Sequence, residues 1–211
     1  MVFRLPDDEI VFPNPELAEE DGLLAIGGDL TAERLILAYQ HGIFPWFSEG
    51  DPICWYSPHE RCVIYSDKIK ITKSMKQVLK NADFKVTANQ AFEKVIASCA
   101  KTPRKDQPGT WITREMQEAY INLHQLGWAH SVEVWTADEL VGGLYGVAIG
   151  KVFCGESMFS LVSNASKVAL IFLCKQTDFE LIDCQLPNGH LLSLGAEMID
   201  RETYMKVMND Q

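Results

Sequence analysis

The 211-residue chain has no Cys-x-x-Cys pair, and none of its six cysteines stands near a histidine at metal-ligand spacing. No motif points to zinc or to a redox disulfide, and neither a metal nor a cofactor is expected. Most of the cysteines lie in apolar runs such as Lys151-Val152-Phe153-Cys154. That is the usual setting of reduced, buried thiols. Neither a phosphate-binding G-x-x-x-x-G-K-[ST] loop nor a dinucleotide-binding G-x-G-x-x-G turn occurs. The five histidines show no ligand or triad spacing. No apolar stretch approaches the ~20 residues of a membrane span, and the first nine residues lack the apolar centre of a secretory signal. A cytoplasmic protein without membrane contact is expected. An excess of positive charge is missing as well. The formal net charge is −10, so the overall field opposes nucleic-acid binding unless a local basic face overcomes it.

What the chain has is an ordinary globular composition, 47% hydrophobic and 23% charged, long enough to bury a core without staples. Residues 1 to about 60 are rich in Gly, Pro and aromatics. One helix is predicted there, from Ala32 to about His41, with Thr31 at its N-cap and Gly42 at C′. The natural division is a small N-terminal domain over 1–60 and a larger one over 61–211. In the larger part, helices are predicted over Thr72–Lys80, from an Asn89 cap to about Ala100, and from Thr113 to Leu126. A strand meander follows: Ser131–Trp135, a turn at Ala137-Asp138, Leu140–Ile149, and Lys151–Cys154 after Gly150. A helix capped by Asn164, a strand over Phe179–Leu186 and a last helix from Asp200 complete the pattern. This order gives an α+β class, a mixed and largely antiparallel sheet flanked by helices, compatible with an acyltransferase fold of the GNAT type.

Several residues invite a chemical role. In an extended strand Asp183 and Gln185 share one face, while Ile182, Cys184 and Leu186 take the other. The pair is either a solvated strand face or a polar couple facing a cleft. Glu156, a lone acid among apolar residues just past a strand, is either an exposed turn residue or a buried carboxylate that needs a cationic partner. Lys73, Lys76 and Lys80 recur at i, i+3 and i+7 and form the one strongly basic helix face. Trp111, after a polar loop containing Pro103 and Pro108, is either core or a stacking surface for a base.

Taken together, the runs Gly22–Leu30, Tyr39–Phe47, Gly109–Arg114, Ala129–Trp135, Leu140–Val147, Phe153–Ser160, Asn164–Lys167, Asp183–Gln185 and Ser193–Ala196 resemble the leucyl/phenylalanyl-tRNA–protein transferases, in order and over nearly the whole chain. The resemblance implies a small N-terminal domain and a GNAT-like catalytic domain. It implies transfer of Leu or Phe, less readily Met, from aminoacyl-tRNA to proteins beginning with Arg or Lys. Such a step creates a degradation signal in the bacterial N-degron pathway. Asp183 and Gln185 match the proposed catalytic pair, and Glu156 matches the residue taken to hold the acceptor's basic side chain. Leu144 and Phe153 match the pocket for the transferred side chain. Trp46, Trp111, Asn188 and the Lys73, Lys76, Lys80 face match aminoacyl-tRNA contacts.

The departures from the family pattern are modest. Leu144 stands where some members carry Met, a volume-conserving exchange. The basic face is Lys-rich rather than Arg-rich, which keeps point-charge contacts and forgoes bidentate ones. The chain stops at Gln211 where some members run on, so a tail is expected to be dispensable or absent here. A monomer is expected.

The implied reaction is aminolysis of an ester, downhill and without ATP. The nucleophile is an α-amino group of reference pKa ~7.7–8.0, already partly neutral near pH 7. Positioning and stabilisation of the oxyanion are then the main tasks. Gln185 cannot titrate, so Asp183 either acts as base or orients Gln185. Two other classes fit less well. A GNAT N-acetyltransferase using acetyl-CoA would carry a glycine-containing pyrophosphate turn, and Ser160–Lys167 has no glycine. A non-enzymatic module would bind tRNA or degron peptides without turnover.

Overall fold

The computed structural model describes residues 2–6, 8–81, 83–103 and 110–210. Pro108 in the loop before Trp111, and Gly109 in the run that ends at Arg114, lie outside the described residues. In chain order the elements are β1 (Phe3–Leu5), β2 (Leu23–Gly27), α1 (Ala32–Gln40), β3 (Phe44–Pro45), β4 (Cys54–Tyr56), β5 (Glu60–Tyr65), α2 (Lys73–Asn81), β6 (Lys85–Ala88), α3 (Phe92–Lys101), α4 (Arg114–Gln125), β7 (Ala129–Thr136), β8 (Glu139–Ile149), β9 (Val152–Ser160), α5 (Ala165–Gln176), β10 (Leu181–Asp183), α6 (Gly189–Ser193), β11 (Glu197–Asp200) and α7 (Arg201–Asn209). The first sixty residues do more than carry one helix. They build a four-stranded sheet in the order β1-β2-β4-β3.

The larger sheet has seven strands in the order β11-β5-β10-β9-β8-β7-β6. All its pairs are antiparallel except β9 with β10, which α5 joins as a parallel crossover. This is the mixed sheet flanked by helices expected from the pattern. The parallel pairing runs from Leu181↔Val152 to Asp183↔Cys154 and goes no further. Beyond that point the strands part, which opens space inside the sheet.

Local chemistry explains most helix ends. Thr113 caps α4 by accepting from the Met116 N–H at 3.2 Å, and Asp200 caps α7 by accepting from the Thr203 N–H at 2.7 Å. Gly42 and Gly127 take positive φ where α1 and α4 end. Asn89 does not cap α3, which starts at Phe92. It sits at φ 59° and its side-chain oxygen accepts from the Ser131 N–H at 2.9 Å, tying the loop to β7. Thr31 and Asn164 hold the N-cap positions of α1 and α5 without a side-chain cap bond.

One apolar cluster runs continuously from the N-terminal segment into the larger sheet. It joins Leu24, Leu35 and Trp55 to Phe92, Ile112 and Tyr145, all buried. A second cluster packs α5 against the other face of the sheet, through Val168, Leu170 and Leu173. Within β8, Gly146 is fixed by close approach. A Cβ there would lie 2.2 Å from the Cys154 carbonyl oxygen and 2.6 Å from the Phe153 ring. Gly146→Ala should therefore destabilise the protein by about 3 kcal/mol or more, read as a lower urea midpoint. An unchanged midpoint would contradict this packing.

Candidate active site

The site forms where β9 and β10 part. β9 carries a bulge there: Tyr145 pairs with Ser157 and Gly146 with Gly155, so Glu156 is the extra, unpaired residue. A bulge re-aims a side chain, and this one sends the carboxylate of Glu156 into the protein, where it is 8% exposed. Glu156 thus lies inside a strand, not in a turn after one.

Its carboxylate is clasped from three elements. Tyr39 of α1 donates to Oε1 at 2.8 Å, Tyr120 of α4 donates to Oε2 at 3.2 Å, and the Gln185 amide donates to Oε1 at 2.7 Å. The two tyrosine hydroxyls also meet each other. Burial raises the Glu156 pKa and the three donors oppose that rise; the balance leaves it at about 7. Burial and the nearby Glu156 charge push both phenols well above their ordinary range, so each stays protonated.

Asp183 and Gln185 do not share a strand face. β10 ends at Asp183, short of the expected Leu186. Gln185 takes φ 62°, and its N–H donates to Asp183 Oδ1 at 2.8 Å in a local turn. Asp183 is fully buried against Arg61, with Nη2 to Oδ2 at 2.5 Å and Nε to Oδ1 at 3.3 Å. Arg61 Nη1 also donates to the Gly42 carbonyl at 2.8 Å, and its guanidinium lies between the rings of Phe44 and Tyr204, 4.9 and 4.8 Å from their centroids. Burial alone would lower the Arg61 pKa. The Asp183 carboxylate offsets that and, with smaller contributions from Tyr204 and Cys154, keeps it above its ordinary value.

A cavity of about 350 Å³ opens beside this network. Leu144, Phe153, Met158, Leu170 and Ile182 give it apolar walls, and Glu156, Asn188 and His190 stand at its polar edge. The structure thus brings Leu144 and Phe153 together in one cavity. Asn188 also caps α6, accepting from the Leu191 N–H at 2.9 Å. The two tryptophans stand apart from the cavity. Trp111 is 6% exposed and packs in the core, while Trp46 is 37% exposed beside Tyr56. Lys73, Lys76 and Lys80 project from α2 into solvent. Tyr39, Tyr120 and Arg61 were not among the residues the sequence singled out. Tyr39 and Tyr120 fall on apolar helix faces, and Arg61 sits in the unread strand β5.

The mixed sheet flanked by helices thus holds an apolar cavity beside a buried carboxylate. Two family models match the chain: one described as leucyl/phenylalanyl-tRNA protein transferase over residues 63–209, and one for the N-terminal domain of the same proteins over 28–59. The chain belongs to the leucyl/phenylalanyl-tRNA–protein transferase family. Relatives of that name include proteins from Flavobacterium johnsoniae, 53% identical over 96% of this chain and 97% of its own, and Syntrophus aciditrophicus, 57% identical over 92% and 83%. A third, from Shigella dysenteriae, is 53% identical over 98% of this chain and 89% of its own. Among solved structures, a conserved protein of unknown function from Bacteroides thetaiotaomicron aligns with TM-score 0.49 and 9% identity over 88% of this chain and 64% of its own. A GCN5-related N-acetyltransferase from Kribbella flavida aligns with TM-score 0.40 and 11% identity, over 82% and 62%.

The Glu156 environment has a measurable consequence. Its folded pKa, about 7, lies above its ordinary 4.5. Between these values the folded state holds a proton that the unfolded state has released, so stability falls as pH rises through that window. The stability of the native protein relative to Glu156→Gln should drop by on the order of 3 kcal/mol from pH 4.5 to pH 7. Denaturant titrations at several pH values measure it, and a constant difference would contradict the assignment.

Proposed function

We propose that the chain transfers Leu or Phe, less readily Met, from aminoacyl-tRNA to the α-amino group of proteins beginning with Arg or Lys, in the cytoplasm, and so creates an N-degron. The observation that carries this reading is the apolar cavity ending at a buried carboxylate. Its walls suit Leu or Phe, whose burial is worth about 1.5–3 kcal/mol. A charged side chain entering the same walls would lose hydration without a partner. Glu156 at the edge meets the basic side chain of the acceptor, and that cation draws the carboxyl into its ionised form.

The roles of the polar residues follow from their partners. Asp183 is closed off from solvent and occupied by Arg61 and the Gln185 N–H. It acts as an orienter and not as a base. It fixes the turn that aims the Gln185 amide, and Gln185 then holds Glu156 and contacts the incoming amine. That amine needs little activation, since its reference pKa is ~7.7–8.0. The enzyme contributes orientation of the amine against the ester. Trp46 and Asn188 belong to the aminoacyl-tRNA side of the site; Trp111, packed in the core, offers little face for stacking on a base; and the exposed Lys73, Lys76 and Lys80 face supplies a local positive field for the phosphate backbone.

Transfer of labelled Phe from Phe-tRNA to a peptide beginning with Arg, compared with one beginning with Ala, tests this function. Label on the Arg peptide alone is expected, and Glu156→Gln should raise the KM for that peptide about tenfold or more. Lowering the pH from 7 to 5.5 should raise the same KM in the native protein as Glu156 gains its proton. No label on either peptide, from folded protein that binds the tRNA, would leave only a binding module.

A further inference from the structure

A second, smaller cavity of about 120 Å³ lies between the start of α2, the start of α5 and the end of α6. Lys70 and Lys167 line it, with Thr72, Ser74, Asn164 and Ser193 contributing polar groups. Neither lysine forms an ion pair among the described residues, although the chain carries net charge −10. Two unpaired cations from separate elements line one concave space beside the Asn164 amide and the mutually bonded Thr72 and Ser74 hydroxyls, while the Ser193 hydroxyl is spent on the His190 carbonyl. That is the donor set of an anion site.

Its location narrows the anion. Lys167 lines the small cavity and Leu170, three residues on along α5, lines the large one. Such residues are neighbours on a helix, ~5–6 Å apart. α6 makes the same link: His190 and Leu191 border the large cavity, and Ser193 and Leu194 the small one. The His190 imidazole pKa is lowered by burial and, next, by the charge of Lys167. In an aminoacyl-tRNA the amino acid is esterified to the terminal ribose, and that ribose is followed by a phosphodiester. A cationic cavity that shares α5 and α6 with the aminoacyl pocket offers a place for that phosphodiester. The exposed Lys73, Lys76 and Lys80 face of α2 then continues the track away from it.

We infer that Lys70 and Lys167 form an anchor for the phosphodiester that links the terminal adenosine of aminoacyl-tRNA to the nucleotide before it. The inference rests on reading the larger cavity as the aminoacyl pocket. The anchor holds the ester in register with Glu156 and Gln185, so it is a positioning device and takes no part in bond making.

The test compares two donors, Phe-tRNA and phenylalanyl-adenosine; the second has the ester and the base but no phosphate. In the double variant Lys70→Gln, Lys167→Gln, the ratio of kcat/KM on Phe-tRNA to that on phenylalanyl-adenosine should fall roughly tenfold, through KM. The salt dependence of tRNA binding should become shallower by about 0.7 per lysine in log–log slope. Lys70→Arg, Lys167→Arg should restore most of the ratio. Equal losses on both donors would make the lysines structural and overturn the anchor, and so would an unchanged ratio. Leu144→Trp examines the underlying reading separately. Loss of Phe transfer from both donors supports the aminoacyl pocket, and undiminished transfer from both removes that pocket and the anchor with it.

Discussion

The buried ion pair between Arg61 and Asp183 is the contact on which the site depends. It joins β5 to β10 across the sheet, reaches the carbonyl of Gly42 at the end of α1, and is flanked by Phe44 from the N-terminal segment and Tyr204 from α7. Asp183 then holds the Gln185 N–H, and the Gln185 amide holds Glu156. One charge pair thus links the first sixty residues, the gap in the sheet and the polar edge of the cavity. Leaving either charge alone in this interior would cost about 3–5 kcal/mol. The pair is better understood as a device that fixes geometry than as a source of net stability.

Glu156 shows how the fold gives a carboxyl properties that a surface carboxylate does not have. The bulge in β9 turns it inward, and the cost of burying its charge is met partly by three donors and partly by a pKa raised to about 7. A carboxyl balanced in this way responds to an arriving cation. The acidic surface elsewhere has a complementary effect. In the proposed function, nucleic acid is repelled from most of the molecule and meets it where Lys70, Lys73, Lys76, Lys80 and Lys167 cluster on and beside α2, a reading that predicts loose, salt-sensitive binding.

Much of this was legible in the sequence, for identifiable reasons. α4 and α7 announce themselves because Thr113 and Asp200 make real cap bonds, and β7 and β8 because they are long and joined by a tight turn at Ala137. Leu144 and Phe153 meet in the cavity because both face α5 from adjacent antiparallel strands. The strands of the N-terminal segment escaped notice because they are two to five residues long, too short for a period to emerge. β5 was missed because Arg61, Cys62, Val63 and Ile64 are buried in succession, so no polar face alternates with an apolar one. Asp183 and Gln185 looked like strand neighbours, but the Asp183 side chain takes over the Gln185 N–H and turns the chain. Asn89 is a suitable cap residue that the tertiary fold recruits for another bond. Glu156 was identified, while its tyrosine partners, 117 and 36 residues away, carry no mark of their role in any local pattern.

The most direct measurement is a double-mutant cycle on transfer kinetics with Arg61→Met and Asp183→Asn, with the fold of each variant checked by circular dichroism. If Asp183 acts only by holding the Gln185 turn against Arg61, the two losses in kcat/KM share one cause, and the double variant is no slower than the worse single. Losses that multiply, with Asp183→Asn severe whether or not Arg61 is present, would make Asp183 an independent base and contradict the account.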